Sequence, residues 1–292
     1  MMMIRYRILE SRAAAHVATL VVLLLVLGVP GGTRAAQHQG APDKSAPASA
    51  RARGVVDVTG YWVSIIDEDW MWRMMTPAKG DYTDVPLNAE GKRVTKAWDP
   101  EKDQKEGNEC RAYGAANVMR MPTRLHITWV DDNTLQVEID AGMQKRLFHF
   151  DGSKWQGGKP QWQGDSVANW EKQPQRRPTS ATFGGPEPGK GGNLHVVTTH
   201  MRPGYLSKNG IPYSGNAVLN ERFRVIDVHG TDYLILRSIV EDPTYLTEPF
   251  TLSSQFQREP DGSKWDPTPC RPLWPLSLRT VTGREGPNES QQ

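Results

Sequence analysis

The sequence predicts a mainly β domain: an antiparallel meander closing into a barrel or packing as a two-layer sandwich, with a helical or loop excursion near its N-terminus. Three observations predict it. Apolar and polar residues alternate over several short segments, the period of a half-buried strand. Turn formers separate those segments, with 27 Gly and 22 Pro among 292 residues. Ten Trp outnumber six Phe, a bias toward rings that are apolar on their faces and polar at one edge. With 37% hydrophobic residues and one long apolar run, the chain is neither disordered, collagenous nor polytopic. Thirty-five Lys and Arg nearly balance thirty-three Asp and Glu, so no basic excess points to nucleic acid.

Taken in chain order, Arg5, Arg7 and Arg12 precede an apolar stretch from Val17 to Gly28. Pro30, Gly31 and Gly32 then break any helix, and Thr33-Arg34-Ala35 supplies small residues for cleavage. This pattern is that of a secretory signal peptide over 1–35, since the apolar part is shorter than the roughly 20 residues of a membrane span. Export follows, to a secreted or periplasmic location with no membrane span after cleavage. Residues 36–54 carry almost no large apolar side chain, which predicts a disordered leader. The β domain is expected over 55–275, and a disordered tail over 276–292.

Thr59 to Ile66 reads as the first strand. The excursion follows: Asn88 can cap a helix whose short stripe is Val94 and Trp98, ending at Asp99-Pro100. From Arg124 to Asp140 the pattern is strand, turn, strand. Pairing Trp129 with Leu135 gathers Leu125, Ile127, Trp129, Leu135, Val137 and Ile139 on one face and leaves His126 opposite Glu138 as a solvated surface residue. After the turn at Asp140 to Met143, an even register points Arg146, Phe148 and Phe150 inward, whereas a one-residue bulge would point Leu147 and His149 inward. Both stay open for strand 144–150.

Ser166 to Glu171, Leu194 to His200 and Pro249 to Arg258 are further strands. Ala217 to Glu241 forms a hairpin with His229-Gly230 at its tip. Its inner row contains Leu219, Phe223, Leu234 and Leu236, and also the acid Glu221. On its outer face Arg222, Arg224, Arg237 and Glu241 can pair with one another. Asp151 to Trp155 recurs at Asp261 to Trp265, and Val130 to Thr134 aligns with Val240 to Thr244 at the same offset, which duplication or convergent turn chemistry could produce. Cys110 and Cys270 are the only cysteines, and in an oxidising compartment they are expected to form one disulfide.

Gly60-Tyr61-Trp62 at the start of the first strand resembles the Gly-x-Trp signature that opens lipocalin barrels, where the Trp plugs the closed end. The resemblance implies a lipocalin-like barrel. Trp162-Gln163-Gly164-Asp165-Ser166 with Trp170-Glu171, Glu221-Arg222-Phe223, Glu241-Asp242-Pro243 and Pro249-Phe250 together resemble a large family of secreted bacterial proteins of unknown function. That second resemblance covers most of the exported chain and implies export and a β-rich fold, without an activity.

The common nucleotide, serine-hydrolase, zinc-protease and Cys-x-x-Cys redox signatures do not occur. His195 and His200 stand five apart on one strand and point to opposite faces, so no metal is expected there, and no cofactor is implied. Asp131, Asp132, Glu241 and Asp242 have turn spacing rather than that of a calcium loop. Glu221 among apolar neighbours, with Arg146 inward, is the sharper constellation. It predicts either a buried ion pair that fixes the barrel or an acid-base centre, with Glu221, Arg146 and His200 as catalytic candidates. Trp129, Trp162, Trp170, Tyr205 and Tyr213 are the candidate ligand-binding residues, the last two from a turn-rich loop at a barrel mouth. The leading expectation is binding of a small apolar or amphipathic molecule. The alternatives are a metal-independent isomerase, hydratase or lyase, and a glycan-binding module.

Overall fold

A computed structural model describes residues 48–152, 158–172 and 191–272. The predicted signal peptide, residues 36–47 of the leader and the tail over 276–292 fall outside these residues, as does most of the first Asp-Gly-Ser-Lys-Trp copy. The elements run β1 (Gly60–Ile65), α1 (Trp70–Met74), α2 (Ala89–Ala97), α3 (Pro100–Lys105), a short 3-10 turn (Glu109–Tyr113) and α4 (Ala115–Val118). They continue with β2 (Arg124–Trp129), β3 (Thr134–Ile139), β4 (Ala141–Gly142), β5 (Gln144–His149), β6 (Asp165–Lys172), β7 (Gly192–Thr199), β8 (Gly204–Tyr205) and β9 (Pro212–Tyr213). Last come β10 (Val218–Val228), β11 (Thr231–Glu241), β12 (Phe250–Glu259) and β13 (Thr268–Pro269).

Nine strands close a barrel in the order β1-β12-β11-β10-β7-β6-β5-β3-β2. The registers follow side-chain alternation. Trp129 pairs with Leu135 and His126 with Glu138 across β2 and β3. Val228 faces Thr231 and Glu221 faces Ser238 across β10 and β11. Strand β5 takes the even register, Val137 opposite Arg146 and Leu135 opposite Phe148, so Arg146 and Phe148 are buried while Leu147 is exposed. The sheet departs from a pure meander at one seam, where β5 and β6 run parallel through Phe148 and Ser166. The start of β6 thus lies beside the end of β5, with His149 opposite Val167.

One end of the barrel, the upper, holds the β2–β3 and β10–β11 turns. There Trp62 is fully buried, donates from Nε1 to Val58 O at 2.9 Å and carries the Arg258 guanidinium 4.1 Å over its ring. Arg258 also donates to Asp232, Thr59 O and Asp57 O, closing that end. The folded unit starts earlier than Val55. Ala50 is buried, its N–H donates to Asn133 Oδ1 at 2.9 Å, its carbonyl accepts from Trp170 Nε1 at 2.8 Å, and Arg51 N–H reaches Asp132 O. Backbone hydrogen bonds hold this stretch, so a composition poor in apolar side chains does not leave it free.

The excursion closes the lower end. Asn88 caps α2 by accepting from Gly91 N–H and donates through Nδ2 to Thr244 O, which pins the helix to the β11–β12 connection. Asp99 caps α3, a second helix beyond the Asp99-Pro100 stop at which the sequence reading ended the first. Met201, Leu206, Ile211 and Tyr213 from the 200–217 loop fill the space beneath the strands with Ala115 and Ala116 of α4. Asp242 is buried as a turn former, accepting from Ser214 N–H and Oγ and from Thr244 N–H. The two aligned turns therefore differ: Val130 to Thr134 joins strands at the upper end, whereas Val240 to Thr244 leaves β11 at the lower end.

Two surface expectations change. His126 is not simply solvated, because it stacks on Tyr61 at 4.1 Å and Trp265 packs edge-on against both rings. Arg222 does not pair along its own hairpin. It makes a bidentate bond to Glu171, two strands away, which satisfies a planar guanidinium better than a carboxylate on the same ribbon. Beyond Trp265 the chain crosses the barrel exterior, pairs β13 with β4 and reaches the Cys110–Cys270 disulfide, which spans 160 positions.

Replacing both cysteines by serine is expected to lower unfolding stability by about 2 to 5 kcal/mol, most of it from the freed denatured chain. The same change should expose the 260–272 strap to protease. Urea unfolding and limited proteolysis of the variant measure the two effects.

Candidate functional site

Alternation places Arg146 of β5 and Glu221 of β10 inside the barrel, three strands apart in sheet order. Their side chains meet across the interior. Arg146 Nη1 donates to Glu221 Oε1 at 3.0 Å and Nη2 to Oε2 at 2.5 Å, with both side chains fully shielded from solvent. The two intervening strands complete a polar belt: Nη2 also donates to Thr198 Oγ1 of β7 at 3.1 Å, and Ser166 Oγ of β6 lies 2.8 Å from Thr198. The guanidinium stands 4.9 Å over the Phe148 ring. Both carboxylate oxygens are engaged by a fork of matching geometry, which is how an ion pair survives removal from water. Phe148, Phe223, Leu236 and Phe256 pack above this belt, and Leu219, Val240 and Met201 below it.

Tyr213 lies at the lower end of this layer, almost wholly buried. Its hydroxyl occupies a slot between the backbones of Gly114 and Gly204, where an added Cβ would overlap the ring oxygen. Burial pushes the phenol far above its ordinary range, so it remains a neutral hydroxyl. It has no hydrogen-bond partner among the described residues. Tyr205 is bound elsewhere in the cap, donating to Asp103 at 2.6 Å and accepting from Arg111 at 3.2 Å. The hollow beside it measures about 20 Å³, room for a water rather than a ligand.

At the upper end the inward rows of β2, β5 and β6 finish in Trp129, Phe150 and Trp170. Their ring centroids lie 5.1 to 6.4 Å apart and their planes are tilted by 34° to 50°. Residues 51–59 pass over these rings. Between them lies a groove of about 420 Å³, with Trp129 and Trp170 as aromatic floor, Val55 and Val56 as apolar wall, and Arg51 and Asp57 as charged rim. An apolar surface edged by one cation and one anion can take the body of an amphipathic molecule and orient its polar end.

The structure thus separates the residues singled out from sequence. Glu221 and Arg146 come together. His200 stands half-exposed past the end of β7, at positive φ, with Nδ1 2.9 Å from Thr199 Oγ1 and 3.5 Å from Asp165 Oδ2, at the surface rather than against the buried pair. Trp129 and Trp170 converge at the upper end. Trp162, Tyr205 and Tyr213 belong to the lower cap, where Arg202 lies 4.1 Å over the Trp162 ring. Residues 200–217 are the plug of that end rather than an open mouth. Arg51, Val55 and Val56 were missed as groove residues. The available signal was the contrast between isolated valines and the polar stretch before them.

Comparison of the chain with protein-family models, with curated proteins and with solved structures finds no match.

Glu221→Leu and Arg146→Met are each expected to cost about 3 to 5 kcal/mol, because each leaves a buried charge without its partner. The double variant Arg146→Met, Glu221→Leu should recover most of that loss. Urea denaturation of the three variants closes the cycle, and a loss in the double variant equal to the sum of the two single losses would show that the side chains are not coupled.

Proposed function

We propose that this protein is an exported lipocalin-like barrel that binds a small amphipathic molecule in the aromatic groove at its upper end. The observation that carries the reading is the groove itself, about 420 Å³ over Trp129 and Trp170 with Arg51 and Asp57 on its rim. That size suits a small ligand. The Cys110–Cys270 disulfide supports an oxidising destination, in keeping with the signal-peptide pattern and with the resemblance to secreted bacterial proteins. The Gly60-Tyr61-Trp62 opening supports the lipocalin comparison, because Trp62 closes the upper end of the interior just below the groove.

Less supports an acid-base enzyme, since Arg146 engages both oxygens of Glu221 and neither side chain meets solvent. The tilted rings also favour an irregular apolar body over the flat face of a sugar.

Titration with a long-chain fatty acid is expected to quench intrinsic Trp emission and saturate, while an oligosaccharide gives no change. Trp129→Leu and Trp170→Leu should each weaken binding by roughly tenfold, or about 1.4 kcal/mol. Unchanged affinity in both variants would move the ligand away from this groove, and response to the oligosaccharide alone would replace the lipid reading by the glycan one.

A further inference from the structure

Helix α1 emerges below β1, at the opposite end of the barrel from the groove, with one side anchored and the other bare. Arg73 is the anchor: it is buried, donates from Nε to Arg120 O at 2.9 Å and from Nη1 to Ile65 O at 3.4 Å. Trp72 turns back as well, donating to Asp81 Oδ2 at 3.2 Å. With 72 and 73 committed inward, the solvent face is Trp70, Met71, Met74 and Met75, exposed by 56%, 46%, 55% and 37%. Three thioethers and an indole on one short helix and its C-cap are costly to leave in water.

Their spacing matters. Met71, Met74 and Met75 stand at i, i+3 and i+4; Met75 is the C-cap, its own backbone already extended, and its N–H donates to Met71 O at 3.1 Å, which closes the last turn beneath it. Side chains so spaced share a face about 5 to 6 Å apart at Cβ, near enough for flexible thioethers to converge on one ion. Trp70 sits one turn before Met74 and can lay its ring against a cation held there. Asp67, Glu68 and Asp69 precede the helix, and all three are exposed carboxylates that raise the local cation concentration.

We infer that Met71, Met74 and Met75, with Trp70 beside them, form a binding site for a soft monovalent cation, Cu(I), or its redox-inert analogue Ag(I). Thioether sulfur is a soft, neutral donor that prefers these ions to Zn(II), Mg(II) or Ca(II). Cysteine thiolate, the usual competitor, is absent from the described residues, because Cys110 and Cys270 are joined. The other described methionines do not make a second such site: Met119, Met121 and Met201 are buried, and Met143 is alone on the β4–β5 turn. Met-based binding also suits an oxidising compartment, where free thiols do not persist. The site is independent of the groove and of the reading attached to it.

The test uses the full chain with isotope-labelled methionine methyl groups, titrated with silver nitrate in chloride-free buffer. One Ag(I) per chain is expected, with the Met71, Met74 and Met75 methyl resonances moving together while those of Met119, Met121 and Met201 stay in place. Single Met→Leu variants assign the resonances. The combined Met71→Leu, Met74→Leu, Met75→Leu variant keeps the apolar surface and removes the sulfurs, so its circular dichroism should be unchanged while affinity falls by about tenfold or more. Uptake that survives the combined variant, movement confined to Met143 or to Met1 to Met3, an equal response to zinc, or no uptake would each overturn the site.

Discussion

The Arg146–Glu221 pair constrains the barrel more than any other single contact, because it is satisfied in only one register. One residue of slip in β5 would turn Arg146 outward and bring Lys145 or Leu147 in, stranding Glu221 among Leu219, Phe223 and Leu236. Slip in β10 would bury Arg222 and take it from Glu171. An unpartnered buried charge costs several kcal/mol, comparable with the whole margin of a folded domain. The pair spans four neighbouring strands, and the parallel β5–β6 seam lies within that span. The weakest pairing of the wall, two residue pairs long, is thereby bridged from inside.

The interior is filled, and the groove lies at the rim. Trp62, Phe148, Phe223 and Phe256 leave the centre packed around the charged belt, so alternation that would line a cavity in a wider barrel here builds a core. Each end is then finished by a segment from outside the strands. Residues 48–59 cover the upper end through backbone hydrogen bonds to Asp132 and Asn133. The excursion and the 200–217 loop cover the lower end through apolar packing. The disulfide ties the C-terminal strap to the excursion.

What could be read from sequence was whatever local alternation determines. The β2–β3 and β10–β11 hairpins follow from short turns and period-two patterns, and the inward position of Glu221 follows from the same periodicity. The register of β5 was ambiguous because Arg146-Phe148 and Leu147-His149 both offer plausible inward sets. The belt decides it, since only Arg146 can neutralise Glu221. The parallel seam was not legible, because it depends on closure between strands separated by a long connection. The same holds for the partner of Arg222 and the cover over His126, which come from distant β6 and from Trp265. Aromatics in strands could be assigned to a face, whereas Tyr205 and Tyr213 lie in loop pieces where a ring serves equally as lining or plug. Packing against Gly114 and Gly204 made Tyr213 a plug.

The segment over the upper end both covers the barrel and forms a wall of the groove, so the groove depends on the order of that segment. Val55 and Val56 form one wall of the groove, while Trp170 both floors it and donates to Ala50 O of the same segment. A molecule lying between the rings and the valines therefore touches the barrel and its cover together. Under the proposed reading, such a molecule would favour the arrangement in which residues 51–59 lie over the rings, in proportion to the contacts it makes with both. The groove exists only while the cover is in place, which makes the hydrogen bonds of a polar, unpatterned stretch as necessary to the site as its aromatic floor.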